Sequence, residues 1–147
     1  MATAQKTAHV TWHGSLFEGS GEITKSGSGA LPRLPVSWSD RTGEGTATSP
    51  EELIAAAHAA CFSMALSNGL ASEGHPPERL EVDATCTFET GDGGARIASA
   101  RLRVSGAVPG LDEAGFRAAA EGAKANCPVS KALGGSVEIT LEGAILS

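Results

Sequence analysis

Residues 49–66 read SPEELIAAAHAACFSMAL, and the way this stretch folds decides much of the rest. Ser49 can cap a helix, Pro50 suits its first position, and Glu52 completes a capping box three residues on. Glu51 and Glu52 both favour the positive end of the helix dipole. The helix is predicted to run to about Gly69 or Gly74. No Asp, Glu, Lys or Arg occurs between Leu53 and Leu70. A helix that is apolar all round is expected to be buried all round. One chain of 147 residues can bury it, but a dimer does so more easily. The apolar run from Leu53 to Leu66, interrupted by His58 and Ser63, falls short of the roughly 20 residues of a membrane span.

Outward from this helix the pattern changes. Towards the amino end, residues 25–47 carry Gly, Ser and two X-Pro steps. They read as a long loop with a short strand around Val36–Trp38. Residues 8–24 read as one or two strands with a turn near Gly19–Gly21. Towards the carboxyl end, Leu80 to Glu89 alternates strictly, as a half-buried strand does. Gly91-Asp92-Gly93-Gly94 then makes a hairpin turn. The return strand, residues 95–108, loses its apolar phase between Ile97 and Ala98, which predicts a bulge. Asp112 can cap a helix from Glu113 to about Ala125, Asn126 a further helical turn, and residues 136–142 form a last strand. Helices and strands do not alternate as βαβ units, so the class is α+β.

The composition narrows the function. Length argues for a single domain over residues 1–147. The net charge of -6 speaks against a nucleic-acid partner or an anionic membrane surface, both of which need a basic stripe. Aromatics are 4%, so Ala, Val, Leu and Ile must fill the core. The amino terminus lacks a signal-like apolar run, and a cytoplasmic protein is expected. The three cysteines cannot all pair within one chain, and in a reducing compartment they are expected to be reactive or merely buried.

Each thiol has two readings. Cys61, in mid-helix, is an inert core thiol, or a nucleophile if a cation stabilises its thiolate. His58, one turn earlier on the same face, is a core histidine bonded to a backbone carbonyl, or a base for Cys61. Cys127 lies at a helix start, where the dipole lowers a thiol pKa, or is a small buried hydrophobe. Cys86 lies on the apolar face of its strand and reads as structural. Together, Cys61 and Cys127 can form a redox pair, which requires their Cα atoms within about 6.8 Å. The alternative, a metal held by His58, Cys61 and Cys127, lacks the ligand number and Cys-x-x-Cys spacing of a zinc site.

The stretch SPEELIAAAHAACFSMAL resembles the OsmC/Ohr family of thiol-dependent hydroperoxide reductases, the OsmC branch in particular. The likeness spans essentially the whole chain. It includes Trp12-His13-Gly14, an arginine before the Gly-Thr…Pro-Glu-Glu segment, Val108-Pro109-Gly110, and Asn126-Cys127-Pro128-Val129-Ser130. The segment from Gly45 to Pro50 is longer than the family's usual Gly-Thr-Asn-Pro, while the spacing of Arg41 to Glu51 matches. The resemblance implies an OsmC-like fold of antiparallel sheets around long buried helices, in an intertwined homodimer with two interfacial sites. It implies Cys61 as the peroxidatic thiol, Cys127 as the resolving thiol, Arg41 as the cation holding Cys61 as thiolate, and Glu51 as the carboxylate orienting Arg41. The substrate would be an organic hydroperoxide and the reductant an external dithiol, with no cofactor or metal.

Helix geometry adds a constraint. Glu51 and Cys61, ten residues apart on one helix, differ by about 15 Å along its axis and roughly 80° around it. Either the helix breaks between them, or the Arg41–Glu51 pair serves the partner subunit's Cys61; the second is the expectation. Two other functions remain compatible with the residues. One is a dimeric protein binding an apolar ligand, with non-catalytic cysteines. The other is a cysteine hydrolase using Cys61 and His58.

Overall fold

The computed structural model describes residues 2–43 and 45–147. Two compact units divide the chain, Met1–Pro50 and Glu51–Ser147. In the first, strands β1 (Ala8–His13), β2 (Ser20–Ser26) and β3 (Leu34–Val36) form an antiparallel sheet in that order. The turn between β1 and β2 occupies residues 14–19, earlier than the glycines at 19 and 21 suggest. Gly21 is instead a strand residue under Trp12, where a Cβ would come 2.6 Å from the indole. Residues expected to be loop contain a short helix, α1 (Trp38–Thr42). Ser37 caps it by accepting the Asp40 N–H, and the Asp40 carboxylate accepts the Ala47 N–H at 2.9 Å. The Ser37 hydroxyl, followed by the Ala47 N–H, holds the Asp40 carboxyl below the usual range.

The second unit contains α2 (Pro50–Ser72), β4 (Arg79–Gly91), β5 (Gly94–Ala107), α3 (Glu113–Asn126), α4 (Pro128–Leu133) and β6 (Glu138–Leu146). Helix α2 closes with a Schellman arrangement. The His75 N–H bonds the Leu70 carbonyl, the Gly74 N–H bonds that of Ala71, and Gly74 takes φ +86°. Strands β4 and β5 form a hairpin closed by Asp92 and Gly93. The register passes from Thr87–Ser99 to Phe88–Ile97, leaving Ala98 as the bulged residue where the phase change predicts one.

The expectation of antiparallel sheets holds for β1–β2–β3 and β4–β5 but fails for β6. This strand pairs parallel to β5, the central strand, because α3 and α4 carry the chain back between them. The core lies between this sheet and the helices. Leu102 and Val104 of β5 and Leu141 of β6 meet Phe62, Leu66 and Leu70 of α2 and Phe116, Ala120 and Ala123 of α3. Gly106 allows the close approach, since a Cβ there would lie 2.7 Å from Leu80 and 3.2 Å from Phe116.

Helix α2 corrects the expectation of burial on every side. Within the chain it buries one stripe, His58, Phe62, Leu66 and Leu70, spaced four apart, with Glu51 at its start. Ala56, Ala57, Ala60 and Met64 are exposed, Met64 at 73%. The helix also outlasts its apolar run. At 23 residues, with an 18-residue window of mean hydropathy 1.4, it is long and apolar enough to cross a membrane by length and composition. Its buried stripe nevertheless packs on the unit's own sheet and α3, as a core helix does.

Candidate active site

Two thiols meet in the second unit. Cys61 sits at the middle of α2, half-buried, and Cys127 at the junction of α3 and α4, fully buried. Cys127 has φ -58° and ψ 123°, which takes it out of the helical region. Pro128 explains this, because the residue before proline is pushed towards extended backbone. The chain thus turns at Cys127 itself, which occupies the cap position expected for Asn126; Asn126 is the last residue of α3. Cys61 of α2 packs against the core that contains Cys127, and the two thiols influence one another.

The surroundings distribute charge unequally over the pair. Burial pushes the Cys61 thiol up, and the neighbouring Cys127 adds to this against a single backbone N–H, that of Val129. Burial opposes the Cys127 thiolate too, but is outweighed. Ser130, through its N–H and its hydroxyl, the neighbouring Cys61 and the Val129 N–H bring its pKa down. Within this unit the surroundings thus favour the anion at Cys127 over Cys61.

His58 is 1% exposed, and its Nε2 lies 2.8 Å from Ser130 Oγ, itself 5% exposed. The expected backbone carbonyl is thus replaced by a side-chain hydroxyl 72 residues away in sequence. Burial lowers the His58 pKa and keeps the ring neutral. Ser130 was not singled out from sequence. The available signal was its place three residues after Cys127, one helical turn on.

The other candidates stand on other parts of the chain. Arg41 is in the last turn of α1, in the first unit. Glu51 is 6% exposed in the first turn of α2. The helix is unbroken from Pro50 to Ser72, so the alternative of a break between Glu51 and Cys61 is removed. Cys86 lies on β4, where burial, then the charge of Glu51, raises its thiol pKa. Phe62, the neighbour of Cys61 in sequence, lies in the core at 0% exposure.

A thiol pair of this kind on an α+β frame can be compared with known proteins. The family model described as OsmC-like protein matches residues 43–142. The chain belongs to the OsmC-like family. Peroxiredoxin OsmC of Escherichia coli K12 is 39% identical over 140 residues, covering 95% of this chain and 96% of that protein. The organic hydroperoxide resistance protein of Xanthomonas axonopodis pv. citri is 32% identical over 145 residues, covering 96% and 98%. Among solved structures, the organic hydroperoxide resistance protein OhrB of Bacillus subtilis superposes with a TM-score of 0.72 at 31% identity, covering 93% and 97%. The α+β architecture is thus an OsmC-like fold, shared across nearly the full length of these relatives.

Proposed function

We propose that this chain is a cytoplasmic thiol peroxidase that reduces organic hydroperoxides to alcohols in defence against oxidative stress, working as a homodimer of one OsmC-like domain per chain. The observation that carries the assignment of roles is exposure. Cys61 is half-buried and can meet a peroxide, whereas Cys127, at 0% exposure, can meet only Cys61. The names of the relatives support the substrate class. The Cys61 thiolate attacks the terminal peroxide oxygen, the O–O bond breaks, and the alkoxide leaves as an alcohol after taking a proton. Cys61 is now a sulfenic acid. The Cys127 thiolate displaces its hydroxide, giving a disulfide and water, and an external dithiol returns both thiols by exchange.

This sequence needs the anion on Cys61 first, whereas the surroundings within the second unit raise the Cys61 pKa and lower that of Cys127. A cation must be brought to Cys61, and Arg41 is the residue assigned to that task. A guanidinium is always charged and binds a carboxylate in bidentate fashion, so Glu51 can fix its plane. A carboxylate buried to 6% exposure suits such a pairing, because a buried charge is costly unless compensated. The homodimer is supported by the exposed face of α2, where Ala56, Ala57, Ala60 and Met64 leave apolar surface for a second copy to cover.

Intact mass and a peptide map after one equivalent of cumene hydroperoxide test the reading. The chain should lose two hydrogens and contain a Cys61–Cys127 disulfide, with Cys86 free. Unchanged thiols would favour an apolar-ligand-binding protein instead. The hydrolase reading is disfavoured by His58, whose Nε2 is bonded to Ser130.

Substrate preference follows from the same surface. The turn of α2 carrying Cys61 presents Ala57, Ala60 and Met64 and no charge. An apolar tail beside the O–O bond gains roughly 0.8 kcal/mol per buried methylene, so a few carbons suffice for a rate advantage of about tenfold or more. Second-order rates should therefore be higher for cumene hydroperoxide than for hydrogen peroxide. Equal rates in stopped flow would remove the apolar pocket from the account.

A further inference from the structure

Beside the reactive pair lies a second buried cluster. It consists of His58, Ser130 and Cys127, exposed by 1%, 5% and 0%. His58 Nε2 and Ser130 Oγ are 2.8 Å apart, and Ser130 follows Cys127 by one turn of α4, its hydroxyl among the groups that favour the Cys127 anion. The direction of each bond follows from donor arithmetic. Disulfide closure needs Cys127 as a thiolate, which carries no proton, so a Ser130 hydroxyl bonded to it must donate its single proton to Sγ. Its oxygen can then only accept from the ring, which makes His58 the neutral tautomer protonated on Nε2. The line runs Nε2–H to Oγ–H to sulfur, and each donor points towards Cys127.

The geometry points to His58 as a positioning residue that acts through Ser130. It fixes the Ser130 hydroxyl that can donate to the Cys127 sulfur during its attack on Cys61, and so governs the rate of disulfide closure. This rests on the assignment of Cys127 as the resolving thiol. In the step concerned, the S–S bond forms as the S–O bond of the Cys61 sulfenic acid breaks. The leaving hydroxide and the proton Cys127 gave up make water, so the exchange is balanced without a further reactant. The titratable groups acting on Cys127 are Cys61 directly and His58 through Ser130, both on α2. Without His58, the Ser130 hydroxyl is free to rotate and to give its proton to another acceptor.

The test separates closure from peroxide attack. Peroxide consumption in a single turnover reads the first step; trapping of the Cys61 sulfenic acid by a dimedone-type reagent reads its lifetime and hence the second. Ser130→Ala and His58→Leu should leave the first rate within about threefold of wild type. They should slow closure about tenfold or more, the value of one charge-assisted hydrogen bond, and move its pH midpoint upward. His58→Gln, whose amide can still donate to Ser130, should restore most of the closure rate; simple loss of packing would not be rescued in this way. Closure at the wild-type rate and pH midpoint in both Ser130→Ala and His58→Leu overturns the role of the cluster while leaving the peroxidase reading intact. Slowed peroxide attack with normal closure would mean that Cys127 is the attacking thiol. Absence of a Cys61–Cys127 disulfide in the wild type would overturn the underlying reading itself.

Discussion

Replacing Cys61 by Ser is expected to abolish hydroperoxide reduction, lowering kcat/KM by about 10⁴-fold or more, as loss of a nucleophile does in other enzymes. A serine hydroxyl in the same half-buried place has no accessible anion, and it cannot form the sulfenic acid through which Cys127 closes the cycle. Cys127→Ser should behave differently. The first attack survives, so a single turnover still consumes about one peroxide per chain. The sulfenic acid then has no resolving sulfur, and excess peroxide drives it to the irreversible sulfinic state. Steady-state turnover with a dithiol reductant should fall accordingly. Cys86→Ser should be nearly silent, because Cys86 lies on β4 with its thiol pKa raised by burial and by Glu51. Rates for the three variants, with the mass of the product chain, check the set. A Cys61→Ser chain that still reduced peroxide through Cys127 would reverse the roles, despite the complete burial of Cys127.

The parts legible from sequence are those governed by neighbours along the chain. Pro50 and the two glutamates announced α2, Asp112 announced α3, and the strict alternation of β4 with its phase slip in β5 located both the hairpin and the bulge. What escaped depends on contacts between distant residues. The parallel pairing of β6 with β5 is set by the return path through α3 and α4, which no two-residue period reports. Ser130 looked like a residue of a short helical turn, and its bond to His58 spans 72 positions. Helix α1 was hidden in a Gly- and Ser-rich stretch, with the pair Ser37 and Asp40 as its only local signal. The all-round apolar character of α2 suggested burial on every side. One chain provides it along a single stripe, which turns the remaining face into an argument for a second copy.

A mixed dimer of one Cys61→Ser chain and one Glu51→Ala chain should recover about half of the wild-type activity per dimer, although each variant is inactive as its own homodimer. The expectation follows from helix length. With α2 continuous from Pro50 to Ser72, Glu51 and Cys61 of one chain stand about 15 Å apart along the axis and roughly 80° apart around it. An arginine held by Glu51 therefore does not reach the Cys61 of its own helix, whereas a two-fold interface along α2 can bring it to the partner's. If the sites are shared in this way, the mixed dimer contains one site with both changes and one with neither, and the intact site works at its normal rate. If each chain supplies its own complete site, every site in the mixed dimer carries one change and the activity stays at the background of the homodimers. Differently tagged chains, mixed under mild denaturation and purified for both tags, make the measurement. The pH profile adds an independent check. Without a cation the Cys61 thiol keeps its raised pKa, so peroxide attack by Arg41→Ala should be slow near neutrality and climb as the pH rises, while the mixed dimer should regain the wild-type profile.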